Sequence, residues 1–106
     1  MPKYLYTGSY TLEGIKGLLK DGGSARRSQV ESAIKGMGGK LEAFYFAFGG
    51  NDVYSVMEFP DNISCVAVSL AVNAAGGIKG NVTVLLSPEE MDQATKKKVL
   101  YRGPGL

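Results

Sequence analysis

Hydrophobic and polar residues repeat with two different periods along this chain, and the switches between them mark its elements. From Gly38 to Phe59 the sequence reads GGKLEAFYFAFGGNDVYSVMEF. Two runs rich in aromatic and β-branched residues flank Gly49-Gly50-Asn51-Asp52, the pattern of a β-hairpin. If these four turn residues form the loop, Phe48 pairs with Val53, Phe46 meets Ser55 and Phe44 meets Met57. Alternation then puts Phe44, Phe46, Phe48, Val53, Met57 and Phe59 on one face. Leu41, Ala43, Tyr45, Ala47, Tyr54 and Val56 fall on the other. Both faces are largely apolar, so both need cover.

Period-two alternation also marks Lys3 to Tyr10 (KYLYTGSY) and Ile78 to Leu86 (IKGNVTVLL) as strands. Helical spacing takes over between them. Leu12, Ile15, Leu18 and Leu19 follow a capping Thr11, and Gly22-Gly23 interrupts this helix. Ser24 opens a second helical piece with Val30, Ala33, Ile34 and Met37 as its stripe, ended by Gly38-Gly39. After Pro60 and Asp61, the residues Ile63, Val66, Ala67, Leu70, Ala71 and Ala74 form an apolar stripe that is expected to pack on the Phe44 face of the hairpin. Ser87-Pro88-Glu89-Glu90 is a complete helix start, with a cap, Pro at the first position and Glu at the third.

The order strand, interrupted helix, strand, strand, helix, strand, helix predicts an α+β fold. Its core is a ferredoxin-like βαββαβ unit, a four-stranded antiparallel sheet with helices on one face. The domain is expected to fill residues 1–106, with a core over 3–92 and a short C-terminal helix and tail over 88–106. The helices cover one sheet face. The bare face, with Tyr45, Tyr54 and Val56, predicts a homodimer or larger homo-oligomer, because monomers rarely expose an apolar patch of that size.

Composition narrows the function by exclusion. A chain of 106 residues is one domain of ordinary size. Twelve basic and ten acidic residues leave a net charge of +2, too little to imply a nucleic-acid partner or a membrane surface. The longest apolar run, Val66 to Val72, is far short of a membrane span. Met1 to Tyr6 carries no charged start followed by an apolar stretch, so no secretory signal is expected. The single cysteine allows no internal disulfide, which sets a cytoplasmic expectation. With no histidine, the commonest general base and metal ligand is missing, and no cofactor or metal is expected.

Five groups of residues can carry chemistry, and each also has an ordinary structural role. Asn51 and Asp52 can hold a ligand at the mouth of a pocket, or simply form a turn. Tyr10, with the other strand tyrosines, can offer phenol donors to a ligand, or serve as amphipathic sheet wall. Arg26 and Arg27 can pair with Asp52 or bind a carboxylate-bearing ligand, or sit on a solvated helix face. Lys96 to Lys98 suit a helix C-terminus, and Cys65 a buried structural thiol. Phe44 and Phe46 are the expected apolar lining of any pocket between sheet and helices.

The opening YLYTGSYTLEGIKGL, Arg26, the strand GGKLEAFYFAFG, Asp52 and the late strand NVTVLLSPEEM together resemble the GYD-domain family, over roughly residues 3 to 92. The family takes its name from a Gly-Tyr-Asp motif at the hairpin; here Gly50-Asn51-Asp52 stands there, with Asn51 at the tyrosine position. The resemblance implies the ferredoxin-like fold of the dimeric α/β-barrel superfamily, and it implies no particular activity. Two functions are then expected. One is a homo-oligomer that binds a small molecule between sheet and helices. The alternative is a cofactor-free enzyme, similar to the monooxygenases and isomerases built on that barrel, acting on a small and often aromatic substrate.

Overall fold

The computed structural model describes all 106 residues. Eight elements follow in the order β1 (Lys3–Tyr10), α1 (Leu12–Asp21), α2 (Gly23–Gly36), β2 (Lys40–Phe46), β3 (Val53–Glu58), α3 (Asn62–Ala74), β4 (Ile78–Leu85) and α4 (Pro88–Thr95). The four strands form one antiparallel sheet in the order β2-β3-β1-β4. This α+β arrangement, βααββαβα, is consistent with a ferredoxin-like fold. No helix is long and apolar enough to cross a membrane.

The core lies on one side of the sheet, where Tyr4, Tyr6, Leu41, Val53, Met57, Phe59 and Ile78 meet Ile34 of α2 and Cys65 of α3. Tyr4 packs edge-on against Phe59, with ring centroids 5.9 Å apart. Tyr6 reaches across the sheet toward β4 because Gly80 leaves room: a Cβ there would strike the phenol oxygen. On the opposite side, Leu5, Ala43, Val56 and Leu85 are half-buried, while Tyr45 and Tyr54 are exposed.

The hairpin register differs from the expected one by two residues. Phe46 pairs with Val53, Tyr45 with Tyr54 and Phe44 with Ser55. The connection therefore runs from Ala47 to Asp52 rather than over four residues, and Phe48 leaves the sheet fully exposed. The end of β1 imposes this. Asp52 donates its N–H to the Gly8 carbonyl (2.8 Å) and Ser9 Oγ donates to the Gly50 carbonyl (3.1 Å), so the loop is stapled to the neighbouring strand. A shift of two residues preserves faces, and Phe44 and Phe46 keep their expected side. Leu41 does not keep its expected outer face. A bulge between Leu41 and Ala43 turns Leu41 into the core and lets Glu42 reach Lys3 Nζ at 2.6 Å.

Helix α3 is also rotated from expectation. Cys65, Val68 and Val72 face the core, whereas Ile63, Val66 and Leu70 are exposed, Leu70 by 64%. The helix is apolar nearly all round, so hydrophobic spacing alone does not choose its face. Polar contacts choose it: Tyr4 Oη donates to Asn62 Oδ1 at 2.5 Å and Tyr6 Oη to Asn73 Oδ1 at 3.4 Å. Asn62 and Asn73 are three helical turns apart and share a side, and Cys65, Val68 and Val72 lie between them on that side. Leu70→Ala therefore opens no cavity in this core. The stripes of the first two helices are likewise thinner than expected. In α2, Ile34 is buried and Val30 half-buried, but Ala33 and Met37 are exposed. In α1, Leu12 and Leu19 are exposed and only Leu18 is half-buried.

Two predictions follow from these contacts. Asn62→Ala removes the partner of the Tyr4 hydroxyl and should cost about 1 to 3 kcal/mol in a urea titration, whereas Leu19→Ala on the exposed side of α1 should stay within about 0.5 kcal/mol. Equal losses would mean that Asn62 does not orient α3. The second concerns Asp61, which caps α3 by accepting from Ser64 N at 2.8 Å. Backbone and side-chain hydrogen bonds from Ser64 lower its pKa below the ordinary 3.8. A depressed folded pKa stabilises above the unfolded value and is lost as pH falls through the folded one. Asp61→Ala should thus melt below wild type near neutral pH, with the gap narrowing below about pH 4; a pH-independent gap would exclude the charged cap.

Candidate functional site

Beneath α2 and α3 the core is not filled. A small cavity of about 40 Å3 lies against the sheet, bounded by Tyr6, Phe44, Val53 and Met57 below and by Val30 and Val68 above. Its few polar boundaries are Ser55, Ser69, Cys65 and Arg26. Burial pushes the Cys65 thiol above its ordinary range, so it remains a neutral SH.

The cavity shares Tyr10, Arg26 and Val72 with a wider cleft of about 350 Å3 between α1, the start of α2 and the end of α3. The cleft exists because its walls lack bulk: Gly14 and Gly17 on α1 face Ala71 and Ala75 on α3. The walls are held close at one end. Thr11 Oγ1 donates to the Gly76 carbonyl at 2.7 Å and accepts from Gly14 N at 3.2 Å. Gly14 is obligatory there, since a Cβ would strike the Gly77 carbonyl oxygen. Asp21, Arg26 and Gln29 supply the polar side.

Arg26 is the cation of this site. Its Nη1 donates to Gln29 Oε1 at 3.1 Å, and no carboxylate lies within salt-bridge distance; the single ion pair of the fold joins Lys3 and Glu42. Burial raises the Tyr10 phenol above its usual pKa. The Arg26 charge, and its hydrogen bonding to that oxygen, pull the other way. Tyr6 shows the same balance, with burial dominant and Arg26 opposing. Both phenols are therefore neutral donors at ordinary pH. No three His, Cys, Asp or Glu side chains converge anywhere in the fold.

The residues singled out from the sequence fall into three positions. Tyr10, Arg26 and Phe44 line the cavity. Phe46 stands behind them: it stacks on Tyr10 (centroids 6.4 Å apart, planes at 26°) and meets Phe44 edge-on at 5.2 Å. Asp52 sits at the hairpin end, where Oδ2 accepts the Tyr10 backbone N–H at 2.9 Å, and half-buried Asn51 precedes it in the turn. Neither of these two borders the cavity or the cleft. Tyr6, one of the strand tyrosines considered with Tyr10, also lines the cavity, whereas Gln29 and the glycines of α1 were not anticipated as site residues. Gly14 and Gly17, spaced i and i+3 in a helix that gains nothing from them, are the sequence signal that could have marked a wall.

No curated protein and no solved structure matches this chain. The model of the GYD domain matches residues 4–95, from the first core tyrosine to the end of α4. This chain belongs to the GYD domain family.

Proposed function

We propose that this protein is a homodimer that binds a small molecule with an apolar body and a carboxylate group. The observation that carries the reading is Arg26: a half-buried guanidinium without a carboxylate partner, at the junction of an apolar cavity and an open cleft. A carboxylate on Arg26 gains a charge-assisted hydrogen bond, and the Tyr10 hydroxyl is placed to donate a second. The cleft falls within the range of about 300 to 1,000 Å3 usual for small ligands, whereas the small cavity alone does not. The apolar body would therefore lie between the small-residue walls and point toward Phe44.

Asp52 enters this reading as a positioning group, since its bond to the Tyr10 N–H holds the tyrosine at the junction. Asn51 supports the turn beside it. Binding is favoured over catalysis because the phenols are neutral donors and the one carboxylate of the cleft, Asp21, is exposed. That leaves proton abstraction without a shielded base. The dimer reading rests on the outer sheet face, where Leu5, Ala43, Tyr45, Tyr54 and Val56 form a largely apolar surface that an isologous partner would cover.

Native mass spectrometry of the purified protein should reveal a retained small acid. Titration with phenylacetate and phenylacetamide then isolates the charge. Arg26→Gln should weaken phenylacetate binding at least about tenfold and leave the amide unaffected. Asp52→Ala should lower both affinity and melting temperature, and Asp52→Asn, which still accepts a hydrogen bond, should do so less. Unchanged phenylacetate binding in Arg26→Gln would reject the site. For the dimer, sedimentation velocity at micromolar concentration should give two copies for wild type and a monomer for Val56→Asp, which would bury an unpaired charge. A monomeric wild type would reject the sheet contact.

A further inference from the structure

The chain carries more surface than a compact domain of its mass. Its accessible surface is 7532 Å2, whereas a folded monomer of 11.2 kDa exposes about 5,700 Å2. Its radius of gyration is 16.9 Å, against about 13 Å expected for a chain of this length. The segment after β4 stands off the body: α4 buries no residue, and every residue from Pro88 to Arg102 is exposed. Yet this segment is not composed like a solvated tail. Leu86, Met91, Val99, Leu100, Tyr101 and Leu106 are all large, apolar and exposed.

Its direction of departure is fixed locally. Only Leu86 and Ser87 separate β4 from α4. A reciprocal cap joins Ser87 N to Glu90 Oε1 (3.0 Å) and Glu90 N to Ser87 Oγ (3.1 Å), with Pro88 in the first turn. Beyond this junction every residue of α4 is exposed. Meanwhile the outer side of α3 offers an open apolar face made by Ile63, Val66, Ala67, Leu70 and the end residue Asn62. Nothing in the same chain covers it.

We propose that residues 86–106 form an exchange arm that lies on the outer α3 face of a second copy, whose own arm lies on the same face of the first. Arm and α3 face belong to the same chain, so one two-fold axis satisfies both and leaves no face unpaired. The area agrees: the excess of about 1,800 Å2 over a compact monomer exceeds the roughly 800 Å2 that each partner contributes to a standard interface. The arm contact uses residues separate from the outer sheet face, so it can fail or succeed independently of that pairing.

Crosslinking between distinguishable copies tests it. Two chains of different mass, one carrying Leu70→Cys and the other Leu100→Cys, are co-expressed and treated with a short bismaleimide. Both positions are exposed and native Cys65 is buried, so the new thiols are the reactive ones. Covalent heterodimer is expected at ten or more times the yield of a control pair that combines Leu19→Cys with Leu100→Cys. A Leu70→Cys/Leu100→Cys double variant that crosslinks only within one chain, with no heterodimer in the mixture, would show the arm folding back and overturn the proposal. Heterodimer yield equal to the control would also overturn it, because the arm would then have no preference for α3.

Discussion

Two hydrogen bonds between β1 and α3, from Tyr4 to Asn62 and from Tyr6 to Asn73, set the rotation of a helix that is apolar on almost every side. A helix of that kind can bury any of its faces at similar hydrophobic gain, roughly in proportion to area. A buried phenol without a partner is costly, so the face that satisfies both tyrosines prevails. That choice decides three things together. It brings Cys65, Val68 and Val72 inward, it turns small Ala71 and Ala75 toward the cleft, and it leaves Ile63, Val66 and Leu70 outside.

The interior consequence is a site made by omission. Valine, alanine and glycine line positions where leucine or phenylalanine would have closed the core, and space persists between α1 and α3. Arg26 sits at the edge of that space beside the neutral Gln29 amide and the Tyr10 phenol, with no carboxylate partner. The exterior consequence is equally direct. Surface that a rotated α3 could have buried is displayed, and the C-terminal segment displays more. The small-residue wall of the cleft and the displayed apolar surface are thus different sides of one helix.

The strands, both crossovers and the Ser87 cap were legible in the sequence because each rests on a local signal: alternation, Gly-Gly breaks, and a cap with its Glu. What escaped was set by contacts distant in the chain. The hairpin register depends on Gly8 and Ser9 holding the loop, which no reading of residues 38–59 contains. The Leu41 bulge answers to Lys3 drawing Glu42 outward. The α3 stripe was chosen by counting apolar residues, when Asn62 and Asn73 were the deciding pair. For the candidate site, the chemistry-bearing Tyr10 and Arg26 could be named from residue type. The cleft beside them could not, because it is made by residues that contribute no side chain.

The central place of β1 has a consequence for how the chain acquires its structure during synthesis. This first strand is flanked by β3 and β4, with Lys3 opposite Glu58 on one side and Leu85 on the other. It precedes both of its neighbours in the chain, and its pairing is complete only once β4 is present. Such non-local pairing carries a large loop-closure cost and slows folding. Until β4 arrives, Tyr4 and Tyr6 have an open strand edge beside them. The β2–β3 hairpin, whose strands are joined by a short connection, is the part of the sheet whose pairing does not depend on β4.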